Sequence, residues 1–120
     1  MLARVWSAAI AGIDAIKVGV EVDVSGGLPK IIVVGLPDVA IQESRERVKA
    51  ALKNANFAFP VRKIVINLTP ADLRKEGPCF DLPISVGILA ASEQVDPQLL
   101  GDYLFFGEVS LDGTLRAVSG

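Results

Sequence analysis

Residues 17–24 read KVGVEVDV, with a valine at every even-numbered position. Such alternation is typical of a β-strand with one buried face, because successive side chains point to opposite sides of a sheet. A turn signal, SGGLP, follows at residues 25–29, and the β-branched run KIIVVG at residues 30–35 suits a strand buried on both faces. We therefore predict a β-hairpin over residues 17–35.

A helix is predicted to follow this hairpin. Asp38 can accept hydrogen bonds from the free N–H groups of a helix that begins at Val39. Pro60 and the asparagines before it favour the end of the helix. Its predicted buried face consists of apolar residues at helical spacing, namely Ile41, Val48, Leu52 and Ala55.

Three further segments complete the predicted fold. Residues 61–68 alternate again and predict a strand, and residues 103–109 predict a later one. Residues 81–91 are strongly apolar and predict a buried helix, with Pro83 in its first turn. Residues 69–78 are polar and flanked by prolines, which is typical of a surface loop. The fold class is therefore α+β, with a mixed β-sheet and two main helices.

The length and composition limit the class of protein. At 120 residues and 12.7 kDa the chain suits one domain, residues 1–120. Residues 107–120 predict a strand, an Asp112-Gly113 turn and a second strand, without a polar linker after them. We expect the chain to be the N-terminal piece of a longer protein. The apolar run at residues 5–13 is too short to span a membrane and lacks the features of a signal peptide, so we expect a cytoplasmic protein.

The chain lacks several common catalytic groups. It has no histidine and only one cysteine, which removes the commonest general base and excludes an internal disulfide. Neither glycine-rich phosphate-binding pattern is present, and no metal-ligand spacing occurs, so we expect no cofactor and no metal in these residues. The net charge of −2 argues against a surface built mainly to neutralise phosphates.

Cys79 is the one candidate nucleophile. It directly precedes the helix predicted over residues 81–91, where the helix dipole and free N–H groups favour a thiolate. The alternative, which we favour, is a small core residue. Nucleophilic catalysis also needs a base, and Lys75 is predicted to be a solvated loop charge instead.

Two groups of charged residues are candidates for interaction. Basic residues at 45–53, 62–63 and 74–75 could line one surface for DNA, although Glu43 and Glu46 among them favour a salt-bridged solvent face. The segments 36–38 and 73–80 could contact a neighbouring domain or subunit, although turn and capping chemistry explains them equally well. The candidate interaction residues are Asp38, Arg45, Arg47, Arg62, Lys63, Asp72, Arg74, Lys75 and Asp81.

Four motifs carry a family resemblance. VGLPD at residues 34–38, ESRERV at 43–48, NLTPADLRKEGP at 67–78 and FDLPI at 80–84 closely resemble the N-terminal domain of magnesium-chelatase-like AAA+ ATPases, the YifB/ComM family. The resemblance implies a longer protein with an AAA+ module that binds ATP and magnesium and forms a homo-hexameric ring. For ComM-type members it also implies ATP-driven DNA branch migration during natural transformation.

The same domain resembles the proteolytic domain of Lon and related ribosomal-protein-type folds. GPC at residues 77–79 falls where Lon-like proteases carry Gly-Pro-Ser, so the resemblance puts Cys79 at the nucleophile position. The bulky Phe80-Asp81 pair that follows replaces two small residues and would crowd an acyl intermediate. We therefore expect a non-catalytic domain for assembly or substrate engagement, and a Lon-like peptidase using Cys79 is the alternative.

Overall fold

The computed structural model describes residues 1–11 and 13–116. The elements are β1 (Leu2–Ala11), β2 (Asp14–Ser25), β3 (Lys30–Val34), α1 (Val39–Asn54), β4 (Lys63–Thr69), α2 (Asp81–Ala91), β5 (Glu108–Val109) and β6 (Leu115–Arg116). A four-stranded sheet has the order β1-β2-β4-β3, in which β3 runs parallel to β4 and the other neighbours are antiparallel. β5 and β6 form a separate two-stranded sheet. The α+β prediction, with a mixed sheet and two helices, is confirmed.

The core lies between one face of the sheet and the two helices. The even-numbered valines of β2 and the apolar residues Ile64, Ile66 and Leu68 of β4 are buried on that face. α2 packs against β1 and β2, and α1 packs against α2. A Cβ atom at Gly87 would lie 2.6 Å from Cγ2 of Val22, so this close approach of α2 to the sheet requires glycine.

The opposite face of the sheet is polar at its centre. Arg4, Glu21 and Asn67 lie side by side on β1, β2 and β4. Nε of Arg4 donates to Glu21 at 3.2 Å, and Nδ2 of Asn67 donates to the other carboxylate oxygen of Glu21 at 2.9 Å. Trp6 lies next to this group, with Nζ of Lys17 4.0 Å from the centroid of its ring.

The predicted hairpin over residues 17–35 is wrong. β2 pairs with β1 on one side and β4 on the other, and β3 pairs with β4 in parallel, Ile32 opposite Val65. The sequence between β2 and β3 does turn, but α1 then carries the chain from β3 back to β4. β3 has one neighbouring strand in the described sheet, and only Val33 of its residues is buried, so a strand buried on both faces was also wrong.

Both predicted helices are confirmed. α1 begins at Val39, and Oδ1 of Asp38 accepts a hydrogen bond from the Ile41 amide at 2.9 Å. Ala55, predicted on the buried face, is instead the exposed C-cap of α1. α2 spans Asp81–Ala91, with Pro83 in the first turn where its missing N–H costs no hydrogen bond.

The predicted strand over residues 103–109 is mostly wrong. Only Glu108 and Val109 are in a strand, paired with β6, while the Phe105 amide donates to the Trp6 carbonyl at 2.8 Å. The strand, turn and strand predicted over residues 107–120 are present as β5 and β6, and residues 117–120 lie outside the described part of the chain.

Candidate functional site

The start of α1 is tied to the loop before α2. The Asp38 amide donates to the Lys75 carbonyl at 3.1 Å, and the Lys75 amide donates to the Leu36 carbonyl at 3.0 Å. Oδ2 of Asp38 accepts from the Gly77 amide at 2.9 Å, while Oδ1 caps α1. One carboxylate therefore fixes both segments and ties the VGLPD motif to the KEGP motif.

Lys75 is buried inside this loop. Its ammonium donates to the Gly35 carbonyl at 2.8 Å and to the Pro70 carbonyl. Burial lowers the pKa of Lys75 below its ordinary value of 10.5, against a smaller opposite effect from the charge of Asp72. The prediction of a solvated lysine was therefore wrong, because the carbonyls of Gly35 and Pro70 supply the partners of the ammonium, whereas most of the predicted surface loop is exposed or half-buried.

A second buried cluster joins α1, α2 and β5. The carboxylate of Asp81 is fully buried and accepts from Nε of Arg47 at 2.8 Å and from Nη2 of Arg47 at 3.1 Å. It also accepts from the Ser44 hydroxyl and from the Val109 amide at 3.3 Å. Hydrogen bonding to Asp81 raises the pKa of Arg47, so the guanidinium is charged. All four donors are groups of the domain itself, so the Asp81 carboxylate has a structural role.

Cys79 lies in the short 3₁₀ turn Pro78–Phe80 that leads into α2. Its side chain is half-buried, and its carbonyl accepts from the Gly107 amide at 2.7 Å. Burial, with the negative charges of Glu108 and Asp81, raises the pKa of the Cys79 thiol above its ordinary value of 9.0. Burial and the two carboxylates therefore act against the thiolate that the start of the helix would favour.

The structure brings some of the predicted interaction residues together and leaves others apart. Asp38 and Lys75 share one cluster, and Arg47 and Asp81 share the other. Asp72 and Arg74 are exposed on the loop, where Nε of Arg74 lies 3.4 Å from Glu76. The remaining three predicted residues lie outside both clusters. Arg45 is exposed on α1, Arg62 is exposed just before β4, and Lys63 is half-buried in β4.

Sequence reasoning missed Ser44 and Glu108. Ser44 is fully buried, and its hydroxyl donates to Asp81. Its position three residues after Ile41 and four before Val48 places it in the apolar stripe of α1, and this position was the signal that could have identified it.

Within residues 1–11 and 13–116, no three acidic or cysteine side chains are grouped as metal ligands would be. None of the described helices is both long and apolar enough to cross a membrane.

Comparison with known proteins defines the class. The sequence profile of the family described as subunit ChlI of Mg-chelatase matches residues 20–120, and the chain belongs to this family. It is 49% identical over 119 residues to the competence protein ComM of Haemophilus influenzae and 48% identical over 119 residues to the uncharacterized protein YifB of Salmonella typhimurium. A third relative, YifB of Escherichia coli, is 46% identical over the same length. These matches cover 99% of the chain but only 23–24% of each relative, so the chain spans about a quarter of their length.

Proposed function

We propose that this chain is a non-catalytic N-terminal domain of a magnesium-chelatase-like AAA+ ATPase, and that it serves assembly or substrate engagement. In this proposal the AAA+ module of the same protein binds ATP and magnesium, forms a homo-hexamer in the cytoplasm and drives DNA branch migration. Membership of the ChlI family and the identity to the competence protein ComM support this proposal.

One observation supports the non-catalytic role above all. The charged side chains of the two buried clusters are already engaged: Asp81 accepts four hydrogen bonds, two of them from Arg47, Asp38 accepts two, and the Lys75 ammonium donates to two carbonyls. A nucleophile needs a base with a free lone pair. The raised pKa of Cys79 further reduces the thiolate fraction at neutral pH.

The alternative is a Lon-like peptidase that uses Cys79. In its favour, the thiol is only half-buried and lies two residues after Gly77, whose φ of 88° turns the chain sharply before the 3₁₀ turn. The carboxylate of Glu108 is near enough to influence the thiol electrostatically. This alternative requires the Glu108 carboxylate to act as the general base that accepts the proton of the Cys79 thiol.

The experiment compares Cys79→Ser and Cys79→Ala in a longer protein that includes the AAA+ module. We expect both variants to retain the wild-type rates of ATP hydrolysis and DNA strand exchange, and we expect neither wild type nor variants to cleave unfolded casein. Removing residues 1–116 should lower the DNA-stimulated ATPase rate or the hexamer fraction measured by mass photometry. Casein cleavage that disappears in Cys79→Ala would establish the peptidase instead.

A further inference from the structure

A cleft of about 270 Å³ lies at the β3 edge of the sheet, between the first residues of β3, the second half of α1 and the segment before β4. Three exposed lysines line it: Lys30, Lys49 and Lys53. Its remaining lining is apolar and contains no carboxylate: Pro29, Ile31, Phe59, Pro60 and Val61.

Further cations surround these lysines. Arg45, Lys49 and Lys53 are spaced four residues apart and form one stripe along α1, and Nη1 of Arg45 lies 3.4 Å from the Ile31 carbonyl. Lys63 lies opposite Lys30 in the parallel pair, and Arg62 follows the cleft residue Val61. Three of the 12 lysines and arginines in the chain therefore line this cleft, and three more adjoin its residues along the helix, the chain or the strand pair; Arg62 itself lines a separate cavity together with Met1 and Glu93.

These six cations have no ion-pair partner among the residues that the structure describes. Across residues 1–11 and 13–116, none of them has a carboxylate within 4.0 Å, whereas Arg4, Arg47 and Arg74 each form an ion pair. Glu46 is on the same helix but does not line the cleft. A chain with a net charge of −2 thus concentrates unpaired positive charge on one surface.

We infer that this cleft binds one strand of nucleic acid, with phosphates on the lysine stripe and a base against Phe59. Nζ of Lys49 lies 6.0 Å from the centroid of the Phe59 ring, which puts a cation beside an aromatic surface. Proteins that bind single strands combine a basic groove with such aromatic surfaces. Residues four apart on a helix are separated by about 6 Å along its axis, which is comparable to the separation of consecutive phosphates. This inference rests on the substrate-engagement part of the proposed function.

The test uses fluorescence anisotropy of a labelled single-stranded oligothymidine with this 120-residue chain at several salt concentrations. The variant is Lys49→Gln/Lys53→Gln. Each lost phosphate contact changes the salt slope by about 0.7, which is a factor of about 5 at 0.1 M salt, so the double variant should bind about 25-fold more weakly. Its salt slope should become less negative by about 1.4.

The matched control is Arg4→Gln/Lys17→Gln, which removes the same charge from the two cations beside Trp6 on the other face of the sheet. It should bind like the wild type. Loss of binding in this control, with retention in Lys49→Gln/Lys53→Gln, would place the strand beside Trp6 and overturn the inference. Circular dichroism verifies that all variants are folded.

Two further arms separate the possible ligands. Phe59→Leu keeps an apolar side chain but removes the ring, and it should weaken binding at least about fivefold without changing the salt slope. Polyglutamate that displaces the oligonucleotide at equal charge concentration would indicate an acidic protein partner and overturn the inference. Absence of oligonucleotide binding at low salt would also overturn it, while the assembly and ATPase measurements decide the proposed function independently.

Discussion

Asp81 and Arg47 form the buried ion pair on which the junction of α1, α2 and β5 depends, and removing either partner should destabilise the domain. Breaking a buried pair costs about 3–5 kcal/mol. The two sides are not equivalent, because the Arg47 side chain is 22% exposed and the Asp81 side chain is 0% exposed. Asp81→Ala should therefore cost about 3 kcal/mol, since water can reach the guanidinium, and Arg47→Leu should cost nearer about 5 kcal/mol, since it strands a buried carboxylate.

The assay is urea unfolding monitored by far-UV circular dichroism, applied to both single variants and the double variant. In the double variant no unpaired charge remains, so its loss should be smaller than the sum of the two single losses by about 2 kcal/mol or more. Arg45→Leu, on the exposed face of the same helix, is the control and should change the free energy of unfolding by less than about 0.5 kcal/mol. Single losses that add to within about 0.5 kcal/mol would refute the coupling.

Three other predictions concern the loop and its neighbours. Because burial and nearby carboxylates raise the pKa of Cys79 above 9.0, its alkylation by iodoacetamide should reach half its maximal rate above that pH; a midpoint below pH 8 would contradict this. Because burial lowers the pKa of Lys75 below 10.5, the folded state binds fewer protons than the unfolded state between the two values. The free energy of unfolding of the wild type should therefore rise over that interval relative to Lys75→Met, and a constant difference would be inconsistent with the lowered pKa. Gly35 has a φ of 103°, and a Cβ atom there would lie 2.1 Å from the Leu68 carbonyl oxygen. Gly35→Ala should therefore lower the free energy of unfolding by more than about 1 kcal/mol in the same urea assay. An unchanged urea midpoint would contradict this prediction and show that the loop relaxes around the added methyl group.

Local sequence signals predicted individual elements well. The valine alternation of β2 and the Asp38 cap of α1 depend on residues close together in the chain, and both predictions are confirmed. β1 was missed because residues 7–11 are mostly alanine and carry little alternation, although Ala3, Val5 and Ser7 are buried on one face. The partner of β3 could not be predicted from the turn at residues 25–29, because strand pairing depends on the whole sheet.

In the candidate site, too, local signals identified single residues but not their partners far away in the sequence. Asp38 and Asp81 were selected from the sequence, but their partners Gly77 and Arg47 lie 39 and 34 residues away along the chain. The burial of Lys75 depends on two carbonyl groups that only the folded loop brings together. A charged residue in a polar, proline-flanked segment has no local feature that predicts its burial.

The double use of the Asp38 carboxylate has a consequence for local opening of the domain. Its two oxygens hold the amides of Ile41 and Gly77, one in a regular helix and the other in a segment without regular structure. Neither bond can be released by rotation of the side chain without weakening the other. The two amides should therefore exchange their hydrogens with deuterated solvent at similar rates, so that an apparently irregular loop belongs to the same cooperative folding unit as the helix.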